Sequence, residues 1–144
     1  MPNSDYVRDF HAWANKQAAL LRAGQFAAAD IEHIAEEIES LGRSETRELV
    51  NCVGALQLYL LRSRYQPKRR SANWQASIKL RRLNLAKHLR DNPSLKAKLP
   101  EAMTDSYRWA AAEIAEETRL AVSDLPEKCP WSFDEMMNGE VWPS

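Results

Sequence analysis

The chain reads as an all-α protein, a single-domain helical bundle over residues 1–144 with about four main helices, one of them long, and a short C-terminal helix. Three observations predict this. Only 4 of the 144 residues are glycine while Ala, Leu, Glu and Arg abound, so helix propensity is high. The apolar residues recur at i, i+3, i+4 and i+7 rather than alternating. A hydrophobic share of 44% with a charged share of 28% is ordinary for a globular protein of a size that closes one core.

The first helix is predicted from the cap residue Ser4 to Arg22, with Tyr6, Phe10, Trp13, Gln17 and Leu20 at helical spacing and Gly24 ending it. The second runs from Ala28 to Tyr65, because Ile31, Ile34, Ile38, Leu41, Leu49, Cys52, Leu56 and Leu60 keep one phase. At that length it would measure on the order of 50 Å, longer than a compact sphere of such a chain, so the bundle is expected to be elongated or the helix to break near Gly42. From Leu56 to Leu61 it is apolar on nearly every side, which predicts burial all round. Pro67 closes it, and a basic connection leads to a third helix over Ala72–Arg90 with Trp74, Ile78, Leu85 and Leu89 inward. Asn92-Pro93 breaks the chain again. A fourth helix follows from Pro100, suited to a first helical position, to Arg119. Ser132-Phe133-Asp134-Glu135 is a capping-box pattern that opens a short helix ending at Gly139.

Charge balances overall, 20 basic against 20 acidic residues, but it is sorted along the chain. Arg62 to Arg90 holds ten Lys/Arg and no acid, whereas Asp30 to Glu48 holds seven acids against Arg43 and Arg47. Such segregation is neutralised inside the fold or held out for a polyanion. No apolar run is long enough to span a bilayer, and the first residues lack the apolar core of a signal peptide, so the cytoplasm is the expected location. Two cysteines, Cys52 in a helical stripe and Cys129 in a proline-flanked turn, suggest neither a disulfide framework nor a zinc site.

Three constellations could carry chemistry. Asp30, His33 and Glu37 project from one side of the long helix and are the only metal-ligand candidates; the second acid-x-x-His pair of a bundle metal site is missing, so no metal and no cofactor is expected. Glu45 and Arg82 both fall in apolar phases, which predicts a structural ion pair, with Glu37, Tyr107 and Glu113 available to extend it. Arg64, Lys68, Arg69, Arg70, Trp74 and Lys79 mix cations with an aromatic ring, as a nucleic-acid surface would. There is no glycine-flanked serine, phosphate loop or Cys–His arrangement of recognisable spacing, so no catalytic residue is assigned.

The strings from Glu36 to Glu45 (EEIESLGRSE), Tyr65-Gln66-Pro67 with Arg70-Ser71 and Trp74, and Cys129-Pro130-Trp131 resemble the signature of domain-of-unknown-function family 29, a bacterial family. The resemblance covers nearly the whole chain and implies an all-helical single domain without an assigned site. Tyr59 stands where that pattern has histidine.

The reading these observations favour is a helical interaction module that binds a protein partner. Phe133, Met136, Met137, Val141 and Trp142 are the expected recognition surface, and self-association through the long helix is a second route to partners. The alternatives are a nucleic-acid-binding protein using residues 62–90 and a small helical enzyme built on Glu45 and Arg82 or on the metal-ligand candidates.

Overall fold

The longest element decides the architecture. In the computed structural model, which describes residues 4–69 and 72–140, α3 spans Ile31–Tyr65 and passes Gly42 without a break. The others are α1 (Ser4–Arg8), α2 (Phe10–Arg22), α4 (Trp74–Asp91), α5 (Leu99–Thr118) and α6 (Phe133–Met137), with single-turn or short 3-10 stretches between them. Every regular element among the described residues is helical.

The boundaries follow local chemistry. The predicted first helix is two, because Asp9 leaves the helical conformation and its carboxylate accepts the amide of Ala12 at 3.1 Å, restarting the chain as the N-cap of α2. Gly24, at a φ of +73°, turns the chain out of α2 at little steric cost. Arg119, at a φ of 63°, ends α5 in the left-handed conformation without that freedom. The predicted capping box is present at α6: Ser132 Oγ accepts the Glu135 amide and Glu135 Oε1 accepts the Ser132 amide, each at 3.1 Å.

The contacts fall into two compact units, divided between Ser44 and Glu45. The first holds α1, α2 and the first part of α3. In the second, the rest of α3 packs with α4 antiparallel and α5 parallel to it, as the pairs Glu45–His88 and Tyr59–Arg81 on one side and Gln57–Ser106 and Arg62–Glu117 on the other show. Leu49, Val53, Leu56, Leu60, Ile78, Leu85, Ile114 and Met136 fill the space between them, and each such side chain contributes roughly 1.5–3 kcal/mol by leaving water.

Gly54 sets how near α3 and α5 come. A Cβ there would meet Ser106 Cβ at 3.3 Å, whereas one at Gly42 would meet nothing within 4 Å. Gly54→Leu is therefore expected to destabilise the protein by about 1–3 kcal/mol through overpacking. Gly42→Ala is expected to stabilise it by about 0.5–1 kcal/mol through helix propensity alone. Urea unfolding followed by circular dichroism checks both signs, and equal signs would contradict the close approach at Gly54.

Candidate interaction face

The first unit is organised by a polar knot at the start of α3. Trp13 Nε1 donates to Asp30 Oδ2 at 3.0 Å, His33 Nδ1 lies 2.7 Å from the same oxygen, and the Asp30 amide donates to Gln17 Oε1 at 2.7 Å. Tyr6 donates its hydroxyl to Glu37 and stacks its ring on His33 with centroids 3.9 Å apart, while Trp13 meets the Tyr6 ring edge-on at 4.8 Å. The hydrogen bond from His33, then that from Trp13, holds Asp30 below the ordinary aspartate pKa against the opposing effect of burial. The bond to Glu37, followed by burial and by the neighbouring negative charges, pushes Tyr6 up to about 12. Asp30 is therefore a carboxylate acceptor, and His33 Nδ1 carries the hydrogen between them.

The knot fixes the rotation of α3 about its own axis. With His33 and Glu37 turned toward α1 and α2, a step of about 100° per residue carries Ile31 and Ile38 to the other side and Leu41 to its margin, about 40° from Glu37. They are 53%, 63% and 69% exposed, and only Ile34 of that group is half-buried. Farther along the same stripe Leu49 and Leu56 are fully buried. The continuous inward phase predicted from Ile31 to Leu60 is thus covered only in its second half. Glu32, Glu36 and Glu39 are exposed along one edge of the uncovered half, with Arg43 3.8 Å from Glu39.

The metal-ligand candidates do not converge on an ion. Asp30 and His33 bond each other, Glu37 is taken by Tyr6, and among the described residues no group of three or more such side chains is placed to hold a metal.

The expected Glu45–Arg82 pair is corrected. Glu45 is exposed and faces His88 Nδ1 at 3.7 Å, while His88 Nε2 donates to the Glu45 carbonyl at 2.8 Å. The antiparallel register that makes this pairing leaves Arg82 six residues, about 9 Å, farther along α4. Arg82 is buried, donates Nε to the Met136 carbonyl at 2.6 Å, and has its pKa drawn down by burial. Tyr107 donates to the Pro126 carbonyl at 2.7 Å instead of joining a charge network, and Glu113 is exposed.

The C-terminal recognition surface is corrected at Met136. Met136 is fully buried, with its sulfur 3.9 Å from that of Cys129, and Phe133 and Met137 are half-buried against the core. These side chains cover the second unit's own apolar surface. Val141 and Trp142 lie outside the described residues.

Of the nucleic-acid candidates, Arg64, Lys68 and Lys79 are exposed, with Arg64 5.8 Å from the Tyr65 ring centroid. Trp74 is packed against the core, so its ring is not a free stacking surface. Arg70 and the side chain of Arg69 lie outside the described residues. Elsewhere in the basic segment Arg62 forms a paired contact to Glu117 at 2.6 and 3.1 Å, to which Gln66 also donates at 2.8 Å, and Arg81 lies 4.9 Å from the Tyr59 ring centroid.

Two features escaped the sequence reading. Gln57 and Ser106 are buried polar partners 2.8 Å apart, with Gln57 Nε2 also donating to the Met103 carbonyl at 3.1 Å. Their signal was present, since Gln57 is the one polar residue between Leu56 and Leu61. The second is the outer side of α4, where Leu80 and Leu83 are half or more exposed among Lys79, Lys87 and Arg90. Both cysteines are free thiols raised by burial, Cys52 to about 11 with help from Glu48, so neither is an activated nucleophile. Cys129 and Trp131, with Met103, Tyr107 and Arg108, line an open cavity of about 510 Å³.

Fold and face together define a small all-helical domain carrying an acid-edged apolar helix surface. The chain belongs to the family described as Domain of unknown function DUF29, whose model matches residues 6–142, nearly its whole length. No curated protein and no solved structure matches it significantly. No helix among the described residues is long and apolar enough to cross a membrane.

Because the folded-state pKa of Asp30 is depressed, its contribution to stability is present above the ordinary aspartate range and is lost as pH falls through that lower value. The Trp13 indole N–H resonance is expected to report this, moving toward its free position only at a pH below that range and shifting at every pH in Asp30→Asn. A midpoint at or above the ordinary aspartate value, followed by NMR, would contradict the knot.

Proposed function

We propose that this chain is a cytoplasmic helical interaction module whose first unit receives an amphipathic helix from a protein partner on the Ile31–Ile38–Leu41 face. One observation carries the reading: a single apolar stripe of α3 is fully buried at Leu49 and Leu56 yet more than half exposed at Ile31, Ile38 and Leu41. Burying such side chains is favourable by roughly 1.5–3 kcal/mol each, and the polar knot occupies the side of α3 turned toward α2. A helical occupant suits a helical stripe, since the i, i+3, i+7 and i+10 positions of Ile31, Ile34, Ile38 and Leu41 interdigitate with a like pattern. The acids beside the stripe favour a partner whose apolar face is bordered by Lys or Arg.

A photoreactive amino acid placed at Ile38 or Leu41 in the producing cell is expected to capture one discrete protein chain, and the same residue at exposed Glu116 of α5 is not. Capture is further expected to fall several-fold when Ile31→Asp is added to the Ile38 variant. Equal, diffuse labelling from all three positions would overturn the proposal.

A further inference from the structure

Resting on that reading, we infer that the helix received on the acid-edged face of α3 is α4 of a second copy of this chain. The outer side of α4 has the complementary character. Ala76, Leu80 and Leu83 lie on it, Lys79, Lys87 and Arg90 surround them, and all six are exposed. At about 1.5 Å per residue, Ile31 to Leu41 measures about 15 Å and Ala76 to Lys87 about 16 Å, so the two faces match within one turn. Their charges are opposite. Glu32, Glu36 and Glu39 are exposed beside the first face, with no Lys or Arg between residues 30 and 41, whereas Lys79, Lys87 and Arg90 are exposed on the second, with no acid between residues 76 and 90.

The local ion pairs leave this complementarity in place. Lys87 shares Asp91 at 2.6 Å and Glu39 approaches Arg43 at 3.8 Å, but both pairs join neighbouring turns of one helix at the surface and compete weakly with a new partner. Leu80 and Leu83 have no place in their own core, which α4 supplies from Ile78, Leu85 and Leu89 on its opposite side. Made twice about a two-fold axis, the contact of one face with the other closes an isologous dimer; made once per copy it is heterologous and grows a chain.

Light scattering across a dilution series, with charge-reversed variants, tests this. The wild type is expected to show a mass above that of one chain that falls on dilution and in high salt. Glu32→Lys with Glu36→Lys and Glu39→Lys is expected to stay at the mass of one chain, and so is Lys79→Glu with Lys87→Glu and Arg90→Glu. Mixed in equal amounts, the two variants are expected to regain the larger mass, because the reversed faces attract each other and the native faces still attract.

A wild type that keeps the mass of one chain at every concentration overturns the inference, as does a mixture that fails to associate while both variants keep helical circular dichroism. Should a triple reversal unfold, Glu36→Gln with Glu39→Gln supplies the second readout, an association weaker than wild type and less sensitive to salt; unchanged association overturns the inference. A wild type of single-chain mass whose Ile38 position still captures a different protein overturns self-pairing and leaves the interaction module standing. A capture failure together with single-chain mass removes both.

Discussion

The carboxylate of Asp30 is the constraint on which the first unit depends. It stands one residue before α3, takes Trp13 Nε1 and His33 Nδ1 on one oxygen, and has its amide held by Gln17. Three side chains from two helices are thereby tied to one point at the start of a helix, where a negative charge is also favoured by the helix dipole. With the first turn of α3 tied to α2 in this way, Ile31 and Ile38 fall on the side of the helix away from the knot. The exposure of Ile31 and Ile38 is therefore a product of the polar side of the helix.

Most of the architecture was legible in the sequence because helical phase, proline and capping chemistry are local. The long helix, the capping box at Ser132 and the ends of α4 and α5 all came from such signals, within three residues. What was not legible depended on which of several compatible surfaces pack together. Periodicity shows that Ile31, Ile38 and Leu41 share a side with Leu49 and Leu56, but it does not show that partners exist for only half of that side. The same limit misplaced Glu45: it falls in the apolar phase, yet it lies where the antiparallel register offers His88 and solvent. Met136 and Phe133 looked like recognition residues because adaptable side chains serve cores and interfaces equally well.

The segregation of charge along the chain has a mixed outcome. Part of the basic segment is absorbed inside the second unit, Arg62 by Glu117, Arg81 by the Tyr59 ring and Arg82 by the Met136 carbonyl. Part stays on the surface at Arg64, Lys68, Lys79 and Arg90. The acids of Asp30 to Glu39 divide in the same way between the knot and the exposed edge. Segregation in sequence thus becomes, on each helix, a division between one side that is satisfied within the fold and one that is not.

The bond from Arg82 to the Met136 carbonyl also ties α4 to a short helix far along the chain. The arginine lies in α4 and its acceptor 54 residues later, so the helical hairpin of α3 and α4 can leave the ribosome with that guanidinium still in water. A five-residue helix has too few hydrogen bonds to persist alone, so α6 forms only as Met136 enters the core. Until then Cys129 lacks the Met136 sulfur beside it and the burial that raises its pKa. A chain cut before α6 therefore leaves the Arg82 guanidinium without that carbonyl and the Cys129 thiol without the Met136 sulfur beside it.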